Sequence, residues 1–363
     1  MLSLTDLVEE LGIRYTSIVP EIEIRESERI CITGAGGTIG SALCRALFNR
    51  GVRNFLLIDQ SEYNLYKIHQ ELTSYGAEVV PILASYGDYM AIKDQFLDFK
   101  PTTVYHAGAY KHVPLCEINW KAAFTNNVVH ASHFFDLCLA AKVQTTVVIS
   151  SDKAVNPTSF MGATKLLVEY AAIRTLGEDR VKIVRFGNVL GSSGSVVPLF
   201  HQQIKQGKKL TVTHEGVTRY FMTVQQASAL VINCTGLVGT RFLLNMGKPV
   251  RIFDLAMACC QIMGVCFNYE ITGLRVGEKM HEQLTHDTKA VPLQEGAIYS
   301  IDEMSYPDIQ SLIFMLANCH DYDRAKELLT HANIGWCSNT SPTMPTEGYD
   351  PNVEDCYKIT PAK

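Results

Sequence analysis

The first half of the chain alternates short, continuous apolar runs with longer segments in which apolar residues recur every three or four positions. The runs read ERICIT, NFLLID, AEVVPIL, TTVYH, TTVVIS and VKIVRF. Continuous runs rich in Val and Ile are typical of strands buried on both faces, and the segments between them have the period of amphipathic helices. Strands that alternate with helices predict an α/β fold built on a Rossmann-like, doubly wound parallel sheet.

From about Gly191 the pattern changes to short mixed elements, which predicts a smaller, mixed C-terminal lobe. The last residues are rich in proline and polar side chains and predict an irregular tail. The predicted units are an N-terminal extension (1–26), a Rossmann domain (27–190), the smaller lobe (191–336), which exchanges some chain with the first domain, and the tail (337–363).

Charge and composition indicate which classes of partner the protein can bind. Hydrophobic residues make up 47% of the chain, charged residues 19%, and the net charge is -5. This balance is that of a globular protein, and the sequence has no basic block with interleaved aromatic residues. We therefore expect no nucleic-acid partner.

The lengths of the apolar runs and the positions of the cysteines indicate the cellular compartment of the protein. No apolar run approaches the ~18 residues that span a bilayer, and the first residues lack the basic and apolar pattern of a signal peptide. The 11 cysteines are scattered and form no C-x-x-C pair. We expect a cytoplasmic protein with reduced, buried thiols, no membrane span and no metal site.

A glycine-rich segment, TGAGGTIG, follows the first apolar run and precedes a helical pattern. Glycines at this place allow a tight turn and let the backbone approach a pyrophosphate at the N-terminus of the helix. A glycine turn without a ligand is the plain alternative, but the flanking strand and helix favour a dinucleotide site. The residues assigned to it are Gly34, Gly36, Gly37, Thr38, Ile39 and Gly40.

An acidic residue ends the second run. Asp59 lies 25 residues after Gly34, where a carboxylate binds the adenosine ribose hydroxyls and repels a 2′-phosphate. Gln60 and Ser61 follow it and offer no cation, so NAD is favoured over NADP. Asp88 either binds the adenine edge or is an ordinary loop aspartate.

Polar residues also follow the fifth run, at Ser151, Asp152 and Lys153. Ligands bind outside the carboxyl ends of the strands in such sheets, so an acid and an amine here suggest acid–base chemistry. The alternative is a solvated turn. Met161 and Lys165 then lie four residues apart on one face of the next predicted helix.

These features together resemble the nucleotide-sugar 4,6-dehydratases of capsular and surface polysaccharide biosynthesis, particularly the UDP-N-acetylglucosamine type, within the extended short-chain dehydrogenase/reductase superfamily. The resemblance runs from about residue 28 to 284. The segments that carry it are TGAGGTIGSALCRAL, IDQSEYNLYKI, HAGAYKHVPLCE, SSDKAVNPTSFMGATK, RFGNVLGSSGSVVPLF, TRYFMT and GLRVGEKMHEQL.

The resemblance implies a lyase whose overall reaction is redox-neutral. Hydride passes from carbon 4 of the sugar to bound NAD, water is eliminated across carbons 5 and 6, and the hydride returns to carbon 6. Asp152 would be the acid for the carbon 6 hydroxyl and Lys153 the base at carbon 5, although the two roles could be exchanged. Ser151 would bind the carbon 4 oxygen, and Lys165 the nicotinamide ribose.

The family also implies residues around the two ligands. Met161 replaces the catalytic tyrosine of related dehydrogenases and matches a subset of the dehydratases, in which the configuration at carbon 5 tends to be retained. A thioether accepts no proton, so Asp152 or a water held by Ser151 must take the carbon 4 hydroxyl proton. Further cofactor positions are Ala107, Gly108, Ala109 and Asn127, and substrate positions are Lys111, His112, Asn188, Val197, Arg219, Arg275 and Glu278.

Three readings stay open at this point. The first is a dehydratase acting on UDP-N-acetylglucosamine, or on its GDP counterpart, and feeding surface-glycan or nonulosonic acid synthesis. The second is a 4-epimerase of the same fold, and the third is a catalytically inactive NAD-binding regulatory protein. We also expect a homo-oligomer that pairs through helices, including the one that carries Lys165.

Overall fold

The computed structural model describes residues 2–13, 22–25, 27–285, 290–301, 309–332 and 334–337. The strands are β1 (Arg29–Thr33), β2 (Asn54–Asp59), β3 (Glu78–Leu83), β4 (Thr103–His106), β5 (Thr145–Ile149), β6 (Val181–Arg185), β7 (Asn188–Val189), β8 (Leu210–Val212), β9 (Thr218–Arg219), β10 (Phe221–Met222), β11 (Arg241–Leu244), β12 (Val250–Arg251), β13 (Tyr269–Ile271), β14 (Ala290–Leu293) and β15 (Ile298–Ile301).

The helices are α1 (Leu4–Glu10), α2 (Thr38–Asn49), α3 (Glu62–Ser74), α4 (Tyr89–Phe99), α5 (Val113–Ile118), α6 (Trp120–Phe124), α7 (Ala131–Ala140), α8 (Phe160–Leu176), α9 (Val196–Lys205), α10 (Val224–Asn233), α11 (Ile252–Ile262), α12 (Ile309–Asn318) and α13 (Tyr322–His331). A π-helical turn over Thr125–His130 joins α6 to α7.

Within the described residues, one large sheet has the strand order β14-β15-β11-β6-β5-β4-β1-β2-β3. The strands from β3 to β11 in this order are all parallel, and β15 and β14 are antiparallel additions at the far edge. The order reverses between β1 and β4, as in a doubly wound sheet. The predicted fold class is confirmed, with β1 to β6 at the six predicted runs.

The inner strands β1, β2 and β4 to β6 are covered on both faces, which explains their continuous apolar runs, whereas the edge strand β3 is mostly exposed. In β1, Ile30 and Ile32 pack with the residues of α2 and α10 on one side, whereas Cys31 packs with those of α4 and α7 on the other. Successive side chains of a strand point to opposite faces, so a strand buried on both faces needs apolar residues at every position.

The segment after residue 191 contributes strands both to small separate sheets and to the large sheet. Three small two-stranded sheets, β7 with β10, β8 with β13 and β9 with β12, take every strand except β7 from this segment. Helix α1 packs its Leu7 and Val8 into the same cluster as α9 and α11. By contrast, β11, β14 and β15 complete the large sheet. The division into units stays a prediction, and residues 338–363 of the predicted tail lie outside the described residues.

Helix α8 has almost no free surface. Its Leu166, Leu167 and Tyr170 belong to one apolar cluster with Leu312 of α12 and Leu329 of α13. The chain's own C-terminal helices therefore cover the face that we expected to contact another subunit. The predicted route of pairing through α8 is wrong for this arrangement, because that face is already buried, while a homo-oligomer as such stays a prediction.

The remaining expectations concern membranes, thiols and metals. None of the helices in the described part of the chain is long and apolar enough to cross a bilayer. The described cysteines are all unpaired, and only Cys266 and Cys337 among them are exposed. The same residues contain no cluster of three His, Cys, Asp or Glu side chains that could hold a metal ion.

A buried ion pair lies behind β5. The Arg185 Nη2 lies 2.6 Å from Glu169 Oε2, and both side chains are fully buried. Arg185 Nε also donates to Glu169 Oε1 at 2.9 Å, and the Ser150 hydroxyl donates to the same oxygen. This network ties α8 to β5 and β6, the elements that position the candidate site.

Removal of one partner should therefore be costly. We expect Glu169→Ala to lower the free energy of unfolding by about 3–5 kcal/mol, because the buried Arg185 guanidinium would lose the carboxylate that pairs with it. The control is Glu71→Ala, which breaks the exposed Arg45–Glu71 pair and should cost less than about 1 kcal/mol. Urea unfolding measures both, and equal losses would contradict a tightly coupled pair behind β5.

Candidate active site

The glycine turn between β1 and α2 is too crowded for side chains. Gly34 has φ +64°, and a Cβ there would lie 2.7 Å from the Cα of Gly108. A Cβ on Gly40 would lie 2.1 Å from the carbonyl oxygen of Gly34. Gly37 is the N-cap of α2 and no side chain caps this helix end. The backbone amides at the N-terminus of α2 can therefore bind an anion, so the turn fits the diphosphate of a dinucleotide.

Asp59 supports this turn from the end of β2. Its Oδ2 accepts a hydrogen bond from the Gly36 amide at 2.8 Å, and its Oδ1 accepts one from the Ser61 amide at 2.8 Å. The carboxylate therefore fixes the shape of the turn, and a bond to ribose hydroxyls would be an additional contact. Asp59, Gln60 and Ser61 lie beside the cavity lining rather than in it.

A cavity of about 900 Å³ extends from the glycine turn, past the end of β5, to the second part of the chain. Its volume suits a ligand larger than a single sugar. The predicted residues that line it are Gly34, Gly36, Gly37, Thr38, Ile39, Gly40, Ala107, Ala109, Lys111, His112, Ser151, Lys153, Met161, Lys165, Asn188, Arg219, Arg275 and Glu278.

Asp152 and Lys153 form an ion pair directly after β5. Lys153 Nζ lies 3.0 Å from Asp152 Oδ1, which also accepts a hydrogen bond from Ser151 Oγ at 2.8 Å. Asp152 is fully buried, whereas Ser151 and Lys153 line the cavity. Ser151 and Lys153 thus lie between Asp152 and the cavity, and the predicted role of Asp152 as a catalytic acid stays a prediction.

Lys153 is held as an ammonium. Burial alone would lower its pKa, but the negative charges of Asp152 and Glu282 outweigh this and raise the pKa above its usual value. Lys153 Nζ also donates to Asn188 Oδ1 at 3.2 Å. The sequence predicted a lysine ready to lose its proton, and the structure without ligands shows the opposite tendency.

Lys165 has the contrasting environment. Burial lowers the pKa of Lys165 to about 8, and its Nζ donates to the carbonyl oxygen of Ile149 at 2.9 Å. Met161, one turn earlier on α8, is 3% exposed and packs with Cys116, Ala123 and Val113 at the cavity wall. The position of the missing tyrosine is thus filled by an apolar contact.

Charged residues from β9 and the segment 273–284 lie beside the ion pair, where Glu282 Oε1 is 3.7 Å from Lys153 Nζ. Arg219 Nη2 lies 3.1 Å from Glu278 Oε1, and Arg219 Nε lies 3.9 Å from Glu282 Oε1. Glu278 Oε2 also accepts a hydrogen bond from the Arg275 amide at 3.1 Å, which leaves the Arg275 guanidinium exposed at the rim. Two arginines near a cavity wall suit the phosphates of a nucleotide.

Two other predicted residues, Thr38 and His112, contact the loop before α9. Thr38 Oγ1 accepts a hydrogen bond from the Ser193 amide at 3.2 Å, so the loop before α9 closes over the start of α2. His112 lies beside Gly194 of the same loop, where a Cβ would approach its ring to 2.5 Å. Burial lowers the pKa of Lys111, and burial together with Lys111 lowers the pKa of His112.

Four predicted ligand residues have structural contacts instead. Asp88 caps α4 by accepting from the Ala91 amide at 3.2 Å, and Val197 packs in the apolar cluster of α9 and α11, whereas its neighbour Val196 lines the cavity. Gly108 packs under the turn against Gly34. These residues do not line the cavity, and their ligand contacts stay predictions.

Asn127 is the fourth of these residues. Its amide donates to the Tyr110 carbonyl at 2.9 Å and to Thr164 Oγ1 at 3.0 Å, and its Oδ1 accepts from the Tyr110 amide at 2.8 Å. It lies in the π-helical turn, where one extra residue turns it toward the loop after β4. Asn127 therefore positions that loop for the cavity.

Several residues at the site were not predicted from the sequence, and three of them are polar or charged residues within the motifs. Asn64, at the start of α3, and Glu282 line the cavity, and Lys279 lies 3.9 Å from Glu282. All three occur within the segments IDQSEYNLYKI and GLRVGEKMHEQL, so the motifs contained them. The direction of Lys279 and Glu282 could not be predicted, because an irregular segment has no period that assigns each side chain to a face.

Comparisons with known proteins identify the family. Residues 30–303 match the model of a family described as polysaccharide biosynthesis protein. The chain belongs to this family. It is 43% identical over 280 residues to the capsular polysaccharide biosynthesis protein CapD of Staphylococcus aureus, covering 74% of this chain and 47% of CapD. The chain thus spans about half the length of this curated relative.

Two further matches represent related activities. The UDP-glucose 4-epimerase of Rickettsia prowazekii is 32% identical over 270 residues, which is 70% of this chain and 76% of the epimerase. The dTDP-glucose 4,6-dehydratase DesIV of Streptomyces venezuelae, solved with NAD bound, superposes with a TM-score of 0.63 at 17% identity, covering 70% of this chain and 88% of DesIV. The second match supports the fold.

The low pKa of Lys165 predicts a pH-dependent stability. Its pKa is about 8 in the folded protein, against roughly 10.4 in an unfolded chain, so the unfolded state binds more protons between these values and stability rises with pH there. Relative to Lys165→Met, the wild type should gain roughly 3 kcal/mol in free energy of unfolding between pH 7 and 10.5. Urea unfolding at several pH values measures this difference, and a difference independent of pH would contradict the lowered pKa.

Proposed function

We propose that the protein is an NAD-dependent 4,6-dehydratase of a nucleotide-linked N-acetylglucosamine. The observation that carries the proposal is the Asp152–Lys153 pair, 3.0 Å apart at the end of β5 and reached from the same cavity as the glycine turn. Elimination of water needs an acid and a base on neighbouring carbons, and a simple redox enzyme does not.

NAD is the proposed resident cofactor. The turn at Gly34 and Gly40, the uncapped start of α2 and the carboxylate of Asp59 fit a dinucleotide without a 2′-phosphate. Lys165 lies where it would bind the nicotinamide ribose. When bound, NAD supplies a hydride acceptor for carbon 4 of the sugar and, later, the hydride donor for carbon 6.

Ser151 and Asp152 would handle the carbon 4 hydroxyl proton. Met161 accepts no proton, and Ser151 Oγ lies in the cavity wall and already donates to Asp152 Oδ1 at 2.8 Å. Ser151 can accept the hydroxyl proton while passing its own to Asp152. The hydrogen-bonded pair thereby replaces the missing tyrosine.

Asp152 and Lys153 would then perform the elimination. Asp152 is already protonated, because it has received the carbon 4 hydroxyl proton, and Lys153, 3.0 Å away, becomes a neutral amine when its own proton leaves to solvent. The amine can take the proton from carbon 5, and the carboxyl can protonate the departing carbon 6 hydroxyl through Ser151. The hydroxyl proton therefore produces the acid, and the loss of the Lys153 proton produces the base.

The opposite side of the cavity would bind the nucleotide. Arg219 and Arg275 suit the diphosphate, and Asn188, Glu278, Lys111 and His112 lie within reach of its sugar and ribose. UDP is our proposed nucleotide and GDP its alternative. The product, a 4-keto-6-deoxy sugar with retained configuration at carbon 5, would feed surface-glycan or nonulosonic acid synthesis.

A 4-epimerase is the second candidate, because the Rickettsia prowazekii relative carries that name. Epimerisation requires no acid at carbon 6 and leaves the mass of the sugar unchanged. Incubation of the purified protein with UDP-N-acetylglucosamine and with GDP-N-acetylglucosamine, followed by mass spectrometry, separates the two. A product lighter by one water supports the dehydratase, an isomer supports the epimerase, and no change with either contradicts both.

Three substitutions test the proposed proton-transfer roles of Asp152 and Lys153. Asp152→Asn and Lys153→Ala should lower the rate of dehydration by roughly 10²–10⁴-fold, because each removes a proton-transfer group. Met161→Ala is the matched control in the same cavity wall and should retain activity within about tenfold, since a thioether transfers no proton. If Met161→Ala were as inactive as the other two, the account of Ser151 and Asp152 would be wrong.

A further inference from the structure

Glu282 is a buried carboxylate placed among three cations. Its Oε1 lies 3.7 Å from Lys153 Nζ and 3.9 Å from Arg219 Nε, and its Oε2 lies 3.9 Å from Lys279 Nζ. The residue is 6% exposed and lines the cavity, and its Oε2 has no hydrogen-bond partner among the described residues.

Each of the three cations has a closer partner elsewhere. Lys153 contacts Asp152 at 3.0 Å, Arg219 contacts Glu278 at 3.1 Å, and Lys279 donates to the Val155 carbonyl at 2.8 Å. The contacts of Glu282 are all longer than hydrogen bonds. Glu282 therefore acts on this cluster through its charge rather than through a shared proton.

The surroundings make that charge effective. Three cations, Lys153, Arg219 and Lys279, face three carboxylates, those of Asp152, Glu278 and Glu282. The remaining titratable groups at the cluster are His281, next to Arg219, and Cys337, near Lys279. A carboxylate that becomes neutral here would leave an excess positive charge in a site of low dielectric.

We propose that Glu282 is the positioning residue that sets the protonation state of Lys153. Asp152 Oδ1 and Asn188 Oδ1 accept hydrogen bonds from the ammonium, and the Glu282 carboxylate adds a negative charge 3.7 Å from the same nitrogen. While Glu282 is charged, Lys153 keeps its proton and its orientation toward the cavity.

The consequence for catalysis rests on the proposed dehydratase function. A base at carbon 5 must first lose its proton to solvent, and the Glu282 charge opposes that loss. Burial tends to lower the pKa of Lys153, whereas Asp152 and Glu282 raise it. Glu282 would thus determine the pH above which Lys153 becomes the neutral amine.

Titration of Lys153 itself tests the inference. The full chain, saturated with NAD and labelled with [ε-¹³C]lysine, is titrated to pH 11 by NMR, and Lys153→Met assigns the resonance. Glu282→Gln should lower the Lys153 midpoint by at least about one pH unit, because one neighbouring negative charge is lost. Glu282→Asp keeps the negative charge but on a side chain shorter by one methylene. Its Lys153 midpoint should therefore lie between those of the wild type and Glu282→Gln.

Glu278→Gln is the matched control, since it removes a carboxylate that contacts Arg219 but not Lys153. Its Lys153 midpoint should move less than that of Glu282→Gln. Equal midpoints in the wild type, Glu282→Asp and Glu282→Gln would overturn the inference, as would equal shifts in Glu278→Gln and Glu282→Gln. The Asp variant keeps the test valid if Glu282→Gln does not fold.

The pH dependence of kcat/KM separates this inference from the proposed function. If Lys153 is the base, Glu282→Gln should shift the limb that rises with pH to lower pH by the same amount as the NMR midpoint. A shift of the limb that falls with pH would support the effect of Glu282 on Lys153, but it would mean that Lys153 is the acid and Asp152 the base. An NMR shift in a protein that dehydrates neither nucleotide sugar would support Glu282 and contradict the dehydratase.

Discussion

The site depends on one electrostatic constraint: a fully buried carboxylate, Asp152, must be compensated at the end of β5. A buried charge without a partner is strongly destabilising, so Lys153 and Ser151 both contact the same carboxylate oxygen. Those contacts place an amine and a hydroxyl at the wall of the cavity. The requirement that stabilises the fold here also brings the reactive groups into hydrogen-bond contact.

The parallel sheet supplies the fixed geometry around this pair. The Asp152 amide donates to the Phe186 carbonyl at 3.1 Å, which continues the β5–β6 pairing beyond the strand end. The buried Glu169–Arg185 pair holds α8, and with it Lys165, against the same strands. The glycine turn lies two strands away, because β4 and then β1 follow β5 in the sheet order. The glycine turn and Lys153 thus line one cavity as a result of the topology.

Local sequence patterns predicted the features that depend on local physics. Continuous apolar runs predicted the strands, and the glycines at 34 and 40 predicted the turn, since crowding at those positions excludes a Cβ. The placement of Asn127 and of the C-terminal helices over α8 depends on contacts between residues far apart in sequence. Glu282 likewise faces Lys153 only because an irregular segment folds back over the cavity, and no periodicity in the sequence indicates that direction.

The central claim is that Asp152 and Lys153 serve an elimination enclosed between two hydride transfers. The most direct test follows a deuterium label placed on carbon 4 of UDP-N-acetylglucosamine, by mass spectrometry and NMR of the product. The account predicts a product lighter by one water that carries the label on carbon 6. A label that stays on carbon 4 of an unchanged-mass isomer, or that is lost to solvent, would contradict it.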